Sequence, residues 1–321
     1  MKHRASLLLP LAALTMLGGL ACKKSATAPN PAKIKKEQAA VKNRTATDIV
    51  NEAEARLQHK QWADGRKLLR LVEENMPSSK EYPRTKLMLA DSYFFATTPS
   101  YPEALVEYQS FLTYFPRSEQ RSYALYQVAL CHYAAIETAE RDQAETRKAI
   151  DAFQKLINEA PGSTFAVDSK AKLVQCWRRI AESELLVGIF YVKTFHYGGA
   201  EKRIKDAMEA YPDYIDRERA YFYLGEALRM KTVDFFQIEQ FGKDYLARVG
   251  KPDMGKLTRD ELITYGKELN AYGMGEITRY RKDSKTYFQR LVESYPNSDW
   301  AGRAKDRLVD AGQQVKEDLD S

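Results

Sequence analysis

The sequence predicts an all-α protein, a solenoid of about five helical hairpins with a helical insertion in the last. Three observations carry that prediction. Apolar residues make up 44% of 321 residues, and Gly is scarce (16) beside Tyr (20), which argues against a loop-rich β fold. A small residue, then a large apolar one four positions on, then a Pro eight further on, recurs five times at fixed offsets. Amphipathic stretches with a small residue in the apolar face precede these sets.

The five sets are Gly65–Leu69–Pro77, Ala104–Tyr108–Pro116, Ala149–Phe153–Pro161, Ala200–Ile204–Pro212 and, more weakly, Ser284–Phe288–Pro296. Each belongs to the second helix of a hairpin. The small residue lets two helices approach, the larger one fills the space a turn later, and the Pro ends the helix. The prolines are 39, 45, 51 and 84 residues apart, all longer than the 34 of an ideal tetratricopeptide repeat. The matching first helices are read at 87–95, 123–133, 184–192 and 221–228, with Ala90, Ala129, Gly188 and Gly225 as their small residues.

Taken in order, residues 1–21 read as a signal peptide, with the basic start "MKHR" and a Pro-interrupted apolar run. "LGGLACKKS" resembles a bacterial lipobox that would make Cys22 the lipidated first residue; Ala21 fits the pattern, Gly19 and Leu20 do not. An ordinary secreted protein with a free Cys near its start is the other reading. Residues 22–45 then form a lipidated Cys and a Lys-, Ala- and Pro-rich tether with no apolar period. Such a chain reaches about 25–30 Å, and several acyl chains would make a stable anchor.

Residues 46–230 carry repeats one to four and the first helix of the fifth. Ser78 with Glu81, and Thr258 with Glu261, have capping-box spacing. Residues 138–147 lengthen the loop of repeat three, and 163–195 can run as one long helix or two abutting ones. Residues 231–282 are a helical insertion, read either as a cover for the end of the solenoid or as a partner-docking arm. Residues 283–321 supply the second helix of repeat five and a C-terminal capping helix.

Chemistry is hard to find. His3, His59, His132 and His196 lie apart, with no metal-ligand spacing. Cys131 and Cys176 have no evident base beside them; a disulfide is permitted in an oxidising compartment, and two buried thiols are the alternative. "YGMGE" at 272–276 lacks the Lys of a phosphate loop. No catalytic residue, metal site or cofactor is assigned, and the protein is read as a non-enzyme. The net charge of +6, interspersed in sign, does not suggest a nucleic-acid partner. A solenoid instead binds polypeptides along its concave face. There Tyr93, Tyr126 and Tyr133 are the candidate groove residues, with core packing as the alternative.

"AIDAFQKLINEAPGSTFAVDSKAKL" (149–173) and "AESELLVGIFYVKTFHYGGAEKRIKDAMEAYPD" (181–213) resemble the BamD (ComL) lipoproteins. These are tetratricopeptide-repeat subunits of the outer-membrane β-barrel assembly machine. The resemblance covers roughly residues 47–230 and stops at the insertion. It implies a lipid-anchored scaffold on the periplasmic leaflet of the outer membrane. It implies two partners: a BamA-like barrel subunit held by the C-terminal repeats, and the aromatic-ended C-terminal signals of unfolded β-barrel proteins received by the N-terminal ones. The family's BamA-facing Arg, nine residues before the Tyr-Pro of repeat four, corresponds to Arg203; a solvated helix charge is its plainer reading. The alternative function is a repeat lipoprotein of another envelope system, a secretin pilotin or a cell-division coordinator.

Overall fold

The computed structural model describes residues 44–233 and 235–320, with side chains described outside 235–238 and 310–320. The expected signal peptide, Cys22 and nearly all of the tether lie outside the described residues. Among those described, all regular structure is helical. The helices are α1 (Ala46–Gln58), α2 (Trp62–Asn75), α3 (Tyr82–Phe94), α4 (Tyr101–Tyr114), α5 (Arg121–Ala134), α6 (Ala144–Glu159), α7 (Thr164–Lys193), α8 (Tyr197–Ala210), α9 (Arg217–Lys231), α10 (Phe235–Val249), α11 (Arg259–Ser294) and α12 (Asp299–Asp320). They pair as α1/α2, α3/α4, α5/α6, α7/α8 and α9/α11, and α12 closes the far end against α11.

The repeated triplet explains this stacking. Leu69, Ala104, Tyr108, Ala149, Phe153, Ala200, Ile204 and Phe288 are all buried to within 1% of completely. Close approach is literal at two first-helix glycines. A Cβ on Gly188 would lie 2.5 Å from Ile204, and one on Gly225 would lie 2.7 Å from Phe288. The larger member of each of those triplets therefore occupies the space that the facing glycine vacates.

The five helix ends share one geometry. Met76, Phe115, Ala160, Tyr211 and Tyr295 each precede the Pro and adopt φ between −138° and −124° with ψ between 47° and 59°. The Pro ring excludes the helical region for the residue before it. In every case the carbonyl of that pre-Pro residue accepts from the N–H three positions on. The chain thus turns in the same way into each following helix.

Thr258 and Glu261 form the expected capping box, and Thr45 with Asp48 forms another at α1. The box expected of Ser78 and Glu81 is absent. Glu81 is itself the N-cap, in a helical conformation, and its N–H donates to Ser79 Oγ; Pro83, the second residue of the helix, fixes the start instead. The loop of repeat three is 135–143, and 144–147 already belong to α6. Gln143 holds it by donating to the Thr138 and Arg141 carbonyls.

Residues 164–193 form one helix of 30 residues. Its first half packs Cys176 and Ile180 with Ala129 and Phe153 of hairpin three. Its second half packs Ala181, Leu185 and Ile189 with Ile204 and Leu224 of hairpins four and five. One rigid element therefore joins two blocks of core. The 36-residue α11 runs unbroken through 282/283, where the insertion was expected to give way to the fifth repeat. Its C-terminal part is the repeat helix, anchored by Ser284 Oγ donating to the Gly225 carbonyl at 2.9 Å. Its N-terminal part leaves the stack with α10 as an arm about 30 Å long at 1.5 Å per residue. Phe241 stacks on Tyr280, and Tyr245 packs on Tyr265 and Tyr272, which gives the arm its own small seam.

Candidate peptide cleft and docking face

First helices touch across hairpins at α1–α3, α5–α7 and α7–α9, whereas second helices make no comparable contacts. The first helices therefore line the inner side of the stack. Tyr93, Tyr126 and Tyr133 are all on first helices and all half-buried. Arg66 lies 4.7 Å over the Tyr93 ring. Tyr126 stacks on Phe165 and donates its hydroxyl to Asp168. Tyr133 donates to Gln175, with Lys172 5.0 Å over its ring. Both hydroxyls thus bridge α5 to α7 as two rungs of one ladder.

Between α3 and α5 the comparable helix–helix contact is missing, and a cleft of about 590 Å³ opens there. That volume is within the range of small-ligand sites. None of the three tyrosines lines it. Leu87, Met88 and Phe111 give its lining apolar surface, and Lys80, Glu81, Arg84, Asp91, Gln120 and Tyr123 give it polar and charged groups of both signs. Tyr108 and Tyr123 donate to the same oxygen, Asp91 Oδ1, at 2.5 and 2.6 Å. Burial pushes the Asp91 carboxyl above its ordinary value, and these two hydrogen bonds oppose that. Asp91 Oδ2 has no hydrogen-bond partner among the described residues. The sequence did carry a signal for this carboxylate: Asp91 interrupts the apolar run "LMLADSYFF", and a carboxylate there needs partners once the helix packs.

Charge is uneven around the mouth. The Arg84 guanidinium is held by Glu54 at 2.7 Å and Asn51 at 3.1 Å. Lys80 is exposed and has no ion pair among the described residues. The N-termini of α3 and α5 both open on the cleft, and neither N-cap side chain closes its helix end. Their partial positive charge adds to that of Lys80.

Arg203 lies on α8, about half exposed, with Nη1 3.9 Å from Glu184 Oε2 on α7. That separation is a loose pairing across one hairpin, so the guanidinium remains open to another carboxylate. Cys131 and Cys176 are buried free thiols, and burial raises them to about 12 and about 11. Thiols held so far above neutral pH are poor nucleophiles. Among the described residues no group of three or more metal-ligating side chains gathers, and no helix is long and apolar enough to cross a membrane.

A family described as outer membrane lipoprotein, YfiO, matches residues 42–239, and a tetratricopeptide repeat matches residues 280–298. The chain is 27% identical over 172 residues to the outer membrane protein assembly factor BamD of Caulobacter vibrioides, covering 54% of this chain and 56% of the relative. It is 29% identical over 154 residues to the BamD of Rickettsia prowazekii, covering 48% of this chain and 61% of that one. The chain thus spans less than two thirds of the length of these two relatives. A solved repeat protein from Bacteroides fragilis aligns over 82% of this chain and 97% of its own at 14% identity, with a TM-score of 0.40, too loose a likeness to argue from. The first family match covers more than half of the chain, takes in every helix from α1 to α9, and includes both the cleft and Arg203: the protein belongs to the YfiO outer membrane lipoprotein family.

Proposed function

We propose that the protein is an outer-membrane protein assembly factor, a non-catalytic scaffold anchored through Cys22 to the periplasmic leaflet. In this reading its N-terminal repeats receive the C-terminal signals of unfolded β-barrel proteins. The face around Arg203 holds a BamA-like barrel subunit. The observation that carries the proposal is the coincidence of the family match with a partly apolar cleft between the first helices of hairpins two and three, with Lys80 unpaired among the described residues at its edge. An extended segment ending in an aromatic residue and a carboxylate complements both features. The half-buried rings of Tyr93, Tyr126 and Tyr133 extend the same inner face with rigid amphipathic contacts. The Arg203 side chain, only loosely paired, suits bidentate recognition of a partner carboxylate.

The test is a mild-detergent purification of the tagged protein from its native membrane. Co-purification of a BamA-like barrel protein is expected, as is a mass shift on Cys22 from acylation. Recovery of a secretin or a peptidoglycan-binding protein in its place would move the protein to another envelope system.

A further inference from the structure

The middle of the arm, residues 240–279, falls between the two family matches, which end at 239 and resume at 280. Its helices already hold each other through the seam of Phe241, Tyr245, Tyr265, Tyr272 and Tyr280. Val249, Met254, Leu262 and Ile263 nevertheless stand exposed at the tip, at 53%, 51%, 37% and 48%. Arg248, Lys251, Lys256 and Arg259 are exposed among them. The tip is a formed turn. Gly250, at φ 85°, ends α10 by donating to the Leu246 carbonyl, Asp253 accepts from the Gly255 N–H, and Thr258 and Glu261 box the start of α11.

The carboxylates of the tip are engaged locally. Asp253 pairs with Lys256 at 3.0 Å, and Glu261 accepts from the Thr258 N–H and hydroxyl. Asp260 stands in the first turn of α11, where it offsets the partial positive charge of the helix end. Arg248, Lys251 and Arg259 have no ion pair among the described residues. Arg259 is the first residue of α11, a place where a cation is disfavoured. An anion bound at the tip would relieve that repulsion.

We propose that the arm tip is a second membrane contact, in which Val249, Met254, Leu262 and Ile263 enter the interface of an anionic phospholipid surface while Arg248, Lys251, Lys256 and Arg259 meet its phosphates. Cations interleaved with apolar side chains complement a layer that is anionic outside and apolar beneath. Area separates this occupant from a protein. The end of a two-helix hairpin measures roughly 20 by 10 Å, far short of the about 800 Å² per side that a stable protein interface takes. A lipid surface needs no such area, because each cation and each buried methylene contributes by itself. The inference draws on the membrane that the family implies, and on neither the client nor the BamA-like partner of the proposed function.

Vesicle co-sedimentation tests it with residues 22–321 carrying Cys22→Ser, so that no acyl chain contributes. The vesicles are phosphatidylcholine alone or phosphatidylcholine mixed with phosphatidylglycerol. The Lys-rich tether is common to all variants, so differences between them report the tip. Lys251→Glu with Arg259→Glu should lower partitioning onto the mixed vesicles about tenfold, and Val249→Ser with Met254→Ser should lower it several-fold. Arg259→Glu puts a carboxylate at a helix N-terminus, which favours the helix, and the far-UV spectra should be unchanged. A nitrobenzoxadiazole label on Met254→Cys should shift its emission to the blue on mixed vesicles; Cys131 and Cys176 are buried from the reagent. Undiminished partitioning of the charge-reversed protein, or a label whose emission does not move, overturns the proposal. So does a charge reversal that spares vesicle binding but removes a protein from the native-membrane purification, which would assign the tip to a protein partner.

Discussion

Gly225 and Lys86 show how single positions set the stability of this stack. A methyl group on Gly225 would meet the Phe288 ring at 2.7 Å, and Phe288 is itself buried between α9 and α12. Gly225→Ala should therefore destabilise by about 1–3 kcal/mol, as overpacking does, read as a lower urea midpoint. Lys86, 5% exposed, bridges Glu73 at 2.6 Å and Glu107 at 2.7 Å, and Arg70 reaches the same two carboxylates from the other side. Burial alone would raise the Glu73 carboxyl, but the hydrogen bonds from Lys86 and Arg70 outweigh it and hold Glu73 below its ordinary 4.5. A carboxylate lowered on folding stabilises above its unfolded value and loses that contribution as pH falls through the folded one. Unfolding monitored by circular dichroism should thus show stability declining below about pH 4.5, and Glu73→Gln should make that decline shallower. Lys86→Met leaves the buried Glu107 and the half-buried Glu73 with one cation between them and should cost about 3 kcal/mol. The triplet residues were legible in the sequence because their spacing repeats. The four-charge ring was not, because Arg70, Glu73, Lys86 and Glu107 lie on three helices and nothing local joins them.

Helices α7, α10 and α11 divide the chain differently from the repeats. α7 shares its two halves between adjacent blocks of core, so a break at its centre should uncouple them. Ala181→Pro removes a helical hydrogen bond and costs about 3 kcal/mol or more. Its urea unfolding should change from one transition to two, with hairpins four and five melting first; a single sharp transition would show that other contacts couple the blocks. α10 touches only α11 with any substance, and its seam is Phe241 and Tyr245 against the tyrosines of α11. Tyr245→Ala should expose α10 to rapid amide exchange while leaving the global unfolding midpoint within about 0.5 kcal/mol of the parent. The sequence announced helices at 231–282 through their apolar period. It could not announce that the second of them continues into the fifth repeat. No Pro or Gly-rich break falls near 282, but helix periodicity alone does not distinguish one long helix from two abutting ones.

At the scale of the whole molecule the substantial contacts among the described helices run within hairpins and between adjacent ones, so stability is close to a sum over neighbours. A partner that grips several hairpins at once therefore stiffens the stack, and a surface change that spares the interior should alter binding alone. Arg203→Glu is such a change: the side chain is half exposed and only loosely paired with Glu184. It should reduce co-purification of a BamA-like subunit several-fold at an unchanged melting temperature. Undiminished recovery of that subunit would remove Arg203 from the interface.

Composition, the spacing of small residue, large residue and Pro, and the first-helix glycines determined by themselves that paired helices would stack, where the second helix of each hairpin would end, and that the triplet residues would be buried. They could do so because helix pairing and helix ending are local physics, written within about a dozen positions. What only the tertiary structure decided is where the stack fails to close. The cleft between α3 and α5, and the meeting of the Tyr108 and Tyr123 hydroxyls on Asp91 beside it, arise from how helices distant in sequence pack against one another. No periodicity along the chain encodes a distance of that kind.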